Sequence, residues 1–154
     1  MAEQSLLTDE IRSHIGRTSE PRSARVTEEA VHRALDVWGG DRERHLQPGD
    51  VVPGYVLVGL APEGEAVRLA TLLPKSLLVS NEFSIERPLL FGEELTAQSR
   101  VADISERLGG QFGHGLYVRT DMEFRDSSGA LAGRTVSTLM YYDPAGARRE
   151  EDGQ

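Results

Sequence analysis

The stretch "GLYVRTDMEFRDSSGALAGRTVSTLMYYD", residues 115–143, has the pattern of two β-strands joined by a tight turn. In its first half, apolar and charged residues alternate strictly. This period of two predicts a strand with one face on the core and the other in solvent. The side chains expected on the core face are those of Val118, Thr120, Met122 and Phe124. The connection Ser127-Ser128-Gly129 has the composition of a hairpin turn, so we expect the two strands to pair antiparallel.

Further strand-like segments precede this hairpin. They cover residues 65–73, 81–89 and 93–107, and turn signals at Pro74, Gly92 and Gly109-Gly110 separate them. An extended segment is also predicted near residues 19–26, since Pro21 disfavours helix there. A run of strands with few helices indicates an α+β protein in which a curved antiparallel sheet wraps around one helix.

The clearest helix is predicted over 27–38. Thr27 is a good N-cap, and Gly39-Gly40 closes the end. His32 and Asp36 lie one turn apart on a flank of its apolar stripe, where such pairs most often face solvent. A shorter helix is predicted from Thr8 to about His14. Residues 51–61 fit either a helix with Pro53 in its first turn or a buried strand, because an apolar run alone does not distinguish the two.

The composition limits the possible functions. The chain has 154 residues, no cysteine and a net charge of −8. So acidic a protein is a poor general binder of nucleic acid, and no membrane span or secretion signal is evident. We therefore expect a cytoplasmic protein with one domain at 1–143 and a disordered tail at 144–154. Basic residues do crowd the first part of the chain, as a solvated surface or a patch for an anionic ligand, at Arg12, Arg17, Arg22, Arg25 and Arg33.

A family resemblance enters with "FSIERPLLFGEELTAQSRVADISER", residues 83–107, followed by the hairpin already described. The order and spacing resemble MaoC-like proteins, in particular the fatty-acid-synthase-type dehydratase domain, over about residues 6–143. The resemblance implies a single hot-dog fold, with residues 51–60 starting the central helix. Glu93 stands where the family usually has aspartate. The matching positions are Arg87, Pro88, Leu89, Gly92, Leu95 and Thr96.

The resemblance also implies a chemistry. Active family members add water to acyl thioesters, or remove it, with an aspartate and a histidine on a loop after the first helix. Here Asp41 and His45 occupy such a loop, four residues apart instead of five, and Arg42–Arg44 replace the usual Asn-Pro. The pair can exchange acid and base roles at C2 and C3 of the acyl chain. Amides at the start of the central helix, around Val52, Gly54 and Tyr55, would bind the thioester carbonyl.

Other candidate residues and functions remain open. His114, among glycines at a strand start, is either a second catalytic candidate or an exposed hairpin histidine. Glu82 and Glu86 are expected to be outward-facing strand charges. No metal-ligand spacing or nucleotide motif is present, so no metal or cofactor is expected.

Three functions are compatible with this pattern. The chain is a 3-hydroxyacyl-thioester dehydratase or (R)-type enoyl hydratase acting on CoA- or carrier-protein-bound chains. Alternatively, it is a non-catalytic, substrate-binding subunit of a heterodimeric dehydratase, or a hot-dog protein that binds or transforms a polyketide-like chain. Each implies a homodimer or a heterodimer with another hot-dog subunit, and the arginines of the first part of the chain are candidates for the carrier's phosphates.

Overall fold

The computed structural model of the chain describes residues 5–40, 46–60, 62, 73–107 and 113–144. Two α-helices, a 3-10 helix and seven strands follow one another along these residues. In chain order they are α1 (Asp9–Arg12), β1 (Arg22–Arg25), α2 (Glu28–Trp38), β2 (Val51–Val52), the 3-10 helix (Gly54–Gly59), β3 (Lys75–Ile85), β4 (Leu89–Leu90), β5 (Glu94–Arg107), β6 (Gly115–Arg125) and β7 (Leu131–Tyr142).

Five strands form one antiparallel sheet in the order β1-β5-β6-β7-β3. The predicted hairpin is its centre: β6 pairs with β7 along almost its whole length, and Phe124 lies opposite Gly133. Val118 and Phe124 are buried while Arg119 and Arg125 are exposed, which confirms the alternation. A second, two-stranded sheet joins β2 to β4. The expected α+β arrangement is confirmed.

Gly133 explains how the sheet and the 3-10 helix come so close. A Cβ atom at this position would lie 2.7 Å from Leu57 Cδ2 and 2.9 Å from the carbonyl oxygen of Ser84. Both distances are shorter than atoms tolerate, so only glycine lets Leu57 and β3 approach β7 here.

Two predicted elements differ from the structure in their bounds. The first helix ends at Arg12 and not near His14, and Thr8 caps it through its Oγ1. The strand expected at 81–89 is β3, which begins at Lys75 because ten of its residues pair with β7, and ends at Ile85. Of the remaining residues predicted for this strand, Leu89 belongs to β4. The strand expected at 65–73 lies outside the described residues except for Leu73, and so do residues 145–154 of the expected tail.

The ambiguous segment 51–61 is neither a buried strand nor an α-helix throughout. Val51 and Val52 form β2, and the 3-10 helix follows. The Val56 N–H donates to the carbonyl of Pro53, three residues back, at 3.0 Å. Glycine and β-branched residues are weak α-helix formers, which favours the short, tight 3-10 form over this stretch. The expected helical start is thus confirmed in position, but its helix type is wrong.

The core has two parts. The larger one packs α2 and the 3-10 helix against the sheet, through side chains such as Val31, Leu57 and Phe124. The smaller one lies around Val101, Ile104, Leu116 and Val118 of β5 and β6, where Leu6, Leu7 and Ile11 from the first part of the chain cover it. Within the parts of the chain that the structure describes, no helix has the length and apolarity to cross a membrane.

The edge strand β3 is largely exposed. It is eleven residues long, and its outer edge has no neighbouring strand among the described residues. Long, apolar, unpaired edges are usually covered by another chain or element, because their free backbone groups template further strands. Large apolar side chains exposed on β3 are those of Leu77, Leu78, Val79 and Phe83.

Candidate functional site

A cavity of about 150 Å³ opens between α2, β2 and the start of the 3-10 helix. Its walls are mostly apolar. Such a lining suits an acyl chain, and its volume is below the ~300–1,000 Å³ of typical ligand pockets, so only a short group fits. The described residues that line it are Val31, His32, Leu35, Gly40, Leu46, Val51, Val52, Pro53 and Tyr55.

The Arg87–Glu93 segment holds one wall of this cavity in place. Arg87 Nη1 and Nη2 donate to Glu93 Oε2 and Oε1 at 3.0 and 2.5 Å, and Nη2 also reaches Asp126 Oδ2 at 3.3 Å. The Leu90 N–H donates to Glu93 Oε2 at 2.6 Å. These bonds fix β4, whose Leu89 and Leu90 pair with Val52 and Val51 in the cavity wall.

Glu93 is ionised in this arrangement. Burial opposes its ionisation, but the hydrogen bonds from Arg87 and from the Leu90 N–H outweigh that effect and lower the pKa of Glu93. The same carboxylates raise the pKa of Arg87, although burial acts in the other direction. Arg87 and Glu93, which lie in the segment that carried the family resemblance, therefore form an ion pair, the Arg87–Glu93 clamp, that holds β4 in place.

Asp41 and His45 lie outside the described residues, but the residues on either side of this segment are described. The chain leaves at Gly40 and returns at Leu46, and both residues line the cavity. Gly40 is glycine for a steric reason: its φ is +150°, and a Cβ there would overlap Leu35 Cδ2. The loop that carries Asp41 and His45 thus begins and ends at the cavity wall.

Tyr55 anchors the start of that loop. Its hydroxyl donates to the Gly39 carbonyl at 2.9 Å, which satisfies one of the carbonyls left open at the end of α2. The centroids of the Tyr55 and Trp38 rings lie 5.9 Å apart, and the two ring planes are tilted by 31°. The end of α2 and the 3-10 helix are therefore held together at the cavity.

Of the three residues expected to bind the thioester, two line the cavity and one packs against β3. Val52 and Tyr55 line the cavity, whereas Gly54 packs away from it. A Cβ on Gly54 would lie 2.9 Å from Ile85 Cγ1, so glycine is required for the 3-10 helix to approach β3.

His32 is placed differently from the sequence expectation. It lines the cavity and its side chain is only 29% exposed, with Nε2 3.8 Å from Glu28 Oε1 one turn earlier on α2. The sequence signal for this position is its place next to Val31, a buried residue of the helix stripe. That signal is weak, because a residue on the flank of a helix lines a cavity only where a neighbouring element packs so as to leave a space beside it.

His114 lies at the start of β6, and the cavity lining described above does not include it. Its Nε2 is 2.6 Å from Glu106 Oε1, and its side chain is 17% exposed, so it is not the exposed hairpin histidine considered as an alternative. Glu106 Oε2 also accepts from the Ser5 hydroxyl at 2.7 Å and from the Leu7 N–H at 2.9 Å.

These contacts have a clear electrostatic effect. The hydrogen bond from Ser5 lowers the pKa of Glu106 most, and the hydrogen bonds from Leu7 and His114 lower it further. Burial raises it, but the net result is a pKa of about 2. In the described structure, His114 and Glu106 join the first part of the chain to the sheet.

The remaining candidates are surface groups. Glu82 and Glu86 are exposed as expected, although Glu86 lies just beyond the end of β3. Arg25 pairs with Glu94 at 3.2 Å and Arg33 with Glu29 at 3.6 Å. None of the five arginines from the first part of the chain is among the described residues that line the cavity. Among the residues placed by the structure, no three His, Asp or Glu side chains converge to hold a metal ion.

No family model matches the sequence, and no curated protein matches it. Solved structures do match. The ChsH1-ChsH2 complex from Mycobacterium tuberculosis aligns at a TM-score of 0.63 and 17% identity, over 84% of this chain and 86% of that one. The HadBC (3R)-hydroxyacyl-ACP dehydratase complex from the same organism gives 0.56 and 18%, over 82% and 96%.

An enzyme and a further MaoC-like protein show the same likeness. The (R)-hydratase from A. caviae involved in PHA biosynthesis gives a TM-score of 0.52 and 18% identity, over 81% of this chain and 94% of that one. A MaoC-like dehydratase from Rhodospirillum rubrum gives 0.51 and 14%, over 84% and 92%. At these identities the likeness concerns the fold. The chain has the hot-dog fold, and it shares that fold with MaoC-like dehydratases and (R)-hydratases.

Proposed function

We propose that this protein is a 3-hydroxyacyl-thioester dehydratase, or an (R)-type enoyl-thioester hydratase working in the reverse direction. One observation carries the proposal: an apolar cavity lies where the two ends of the Asp41–His45 loop meet the start of the 3-10 helix. Proteins of the same fold include an (R)-hydratase and a dehydratase complex. A fold does not specify a chemistry. The cavity adds to the fold a space for a substrate at the two ends of the loop that carries the proposed acid and base.

The proposed reaction needs two proton transfers. In dehydration, a base removes a proton from C2, the C3–O bond breaks, and an acid protonates the departing hydroxyl to give water. Asp41 and His45 are the proposed acid and base. One residue fewer between them than in the family pattern is compatible with this role, because a loop can absorb such a difference.

The thioester carbonyl would face the amides around Val52 and Tyr55. Val52 and Tyr55 line the cavity, and Tyr55 stands in the first turn of the 3-10 helix, whose first N–H groups lack partners within it. Amides aimed at a carbonyl stabilise the enolate that forms when C2 loses its proton. The volume of about 150 Å³ favours the reacting end of a short acyl group. The carrier would be CoA or an acyl carrier protein.

A second candidate function is that of a non-catalytic subunit. Two observations favour it: the Asn-Pro that shapes the family's loop is replaced by Arg42–Arg44, and two of the matching structures are complexes named for two components. In this role the chain would shape the acyl channel, and a second hot-dog subunit would supply the acid and base. The exposed apolar strand β3 is the surface on which we expect either a second copy or such a subunit to pack.

The deciding experiment incubates the purified chain with crotonyl-CoA and follows the loss of the enoyl absorbance. We expect turnover that falls at least ~100-fold in both Asp41→Asn and His45→Ala, the usual size of an acid/base contribution. Wild-type turnover that both variants retain would contradict the roles of Asp41 and His45. If the wild type is inactive both on crotonyl-CoA and on the crotonyl-carrier-protein thioester, the enzyme proposal fails and the subunit function takes its place.

A further inference from the structure

We propose that His32 is a further proton-transferring residue of the cavity, distinct from the loop histidine. The inference rests on the proposed function and adds a group to the same site. It starts from position: His32 lies on α2, as do Val31 and Leu35, and all three line the cavity. The rigid helix, and not a loop, sets where this imidazole stands.

The composition of the cavity singles out His32. Among its described lining residues, only His32 and Tyr55 have a side chain that can exchange a proton. The Tyr55 hydroxyl is already engaged, donating to the Gly39 carbonyl at 2.9 Å. Imidazole is the side chain that most often serves as acid and base near neutral pH. An imidazole in a mostly apolar acyl-sized cavity is therefore suited to proton transfer.

A carboxylate stands beside this imidazole. Glu28 Oε1 lies 3.8 Å from His32 Nε2, one helical turn away. This distance exceeds that of a direct hydrogen bond but lies within the range of charge attraction. The carboxylate attracts the imidazolium that exists after His32 accepts a proton and restrains the orientation of the ring. The Glu28 side chain is itself 71% exposed, so it adds a weak charge attraction to the imidazolium.

The proposed step balances with an imidazole as the proton carrier. The imidazole takes the proton from C2, the C–H electron pair becomes the C2–C3 double bond, and the C3–O bond breaks. The imidazolium then gives its proton to the departing oxygen, which leaves as water. The enzyme returns to its starting state, with one enoyl thioester and one water formed. His32 would share these two transfers with Asp41 and His45, the proposed acid and base.

The test uses the fact that the chain has only four histidines, at 14, 32, 45 and 114. Their imidazole signals can be assigned in the NMR spectrum of the full chain by single substitutions. Butyryl-CoA, a saturated probe that cannot react, is then added. We expect the His32 Hε1 signal to shift with saturable dependence on butyryl-CoA, while the His14 signal stays where it is. The matched kinetic comparison is His32→Gln against His14→Gln with crotonyl-CoA.

We expect His32→Gln to lower kcat at least ~100-fold with KM changed less than ~3-fold, and His14→Gln to leave both unchanged. The Tm of each variant checks its folding, and the wild-type NMR shift does not depend on any variant's stability. Full activity in His32→Gln, or an unmoved His32 signal alongside wild-type turnover, overturns the role of His32 and leaves the proposed function standing. A wild type with no turnover overturns the proposed function and the proton transfer together, and a His32 shift in that case identifies a binding contact only.

Discussion

The Arg87 guanidinium donates two hydrogen bonds to the Glu93 carboxylate, at 3.0 and 2.5 Å, and both side chains are partly buried. The five residues between Arg87 and Glu93 form a closed loop that contains β4. Since β4 pairs with β2, this ion pair supports the cavity wall. Paired arginine and carboxylate groups of this geometry are among the strongest polar contacts in proteins.

Replacing Glu93 by glutamine should destabilise the fold. The change removes the charge and one of the two hydrogen bonds from the partly buried Arg87, so we expect a loss of about 1–3 kcal/mol in the free energy of unfolding. Urea denaturation measures it. The matched control is Glu94→Gln, the next residue, whose pair with Arg25 is exposed and which should change little. Equal effects of the two variants would contradict the structural role of the clamp.

Adding one methyl group at Gly133 should also destabilise the protein. The new Cβ meets the Ser84 carbonyl oxygen at 2.9 Å, and a backbone atom cannot move aside as a side-chain end can. We expect Gly133→Ala to cost about 1–3 kcal/mol, the range for overpacking. Gly59→Ala is the control, because nothing lies within 4 Å of a Cβ there. A thermal melt of Gly133→Ala that matches the Gly59→Ala melt would refute this packing.

The contribution of Glu106 to stability should depend on pH in one direction. Its pKa is about 2 in the folded chain, below the ordinary 4.5, so the folded state holds the carboxylate ionised more strongly than the unfolded state does. The stabilisation is complete above about pH 4.5 and is lost as the pH falls from there towards 2. We expect the difference in unfolding free energy between wild type and Glu106→Gln to be larger at pH 6 than at pH 3. Urea titrations at both values measure it, and a difference that grows on acidification would contradict the prediction.

A charge on the exposed edge strand should disrupt assembly. Phe83 of β3 is 41% exposed, and a lysine there would be costly in any apolar interface. We expect the wild type to sediment as a dimer and Phe83→Lys as a monomer in analytical ultracentrifugation. Ile15→Lys is the control, because Ile15 is equally exposed, at 40%, but lies outside β3. A wild type that stays monomeric at tens of micromolar would count against the homodimer and leave a heterodimer as the assembly to test.

Elements that depend on neighbours in sequence were predictable. The alternation of residues 115–125 and the turn at 127–129 specify the hairpin, because each strand needs only its own period of two and a short connection. Thr27 likewise caps α2 through the N–H of Ala30, three residues on. The 3-10 form of Gly54–Gly59 was not predictable, since an apolar run with glycines suits several backbone conformations.

The residues of the candidate site also differ in how far the sequence predicts them. The sequence by itself determined the alternating strands of the hairpin, and its family resemblance predicted the hot-dog fold. The roles of Asp41 and His45 as acid and base stay a prediction. Only the tertiary structure decided that His32 lines a cavity, that His114 pairs with Glu106, and that β3 is an exposed edge. These three facts depend on which distant segment packs against each residue. Local periodicity records which face of an element is apolar, but the partner of that face is decided by packing across the whole fold.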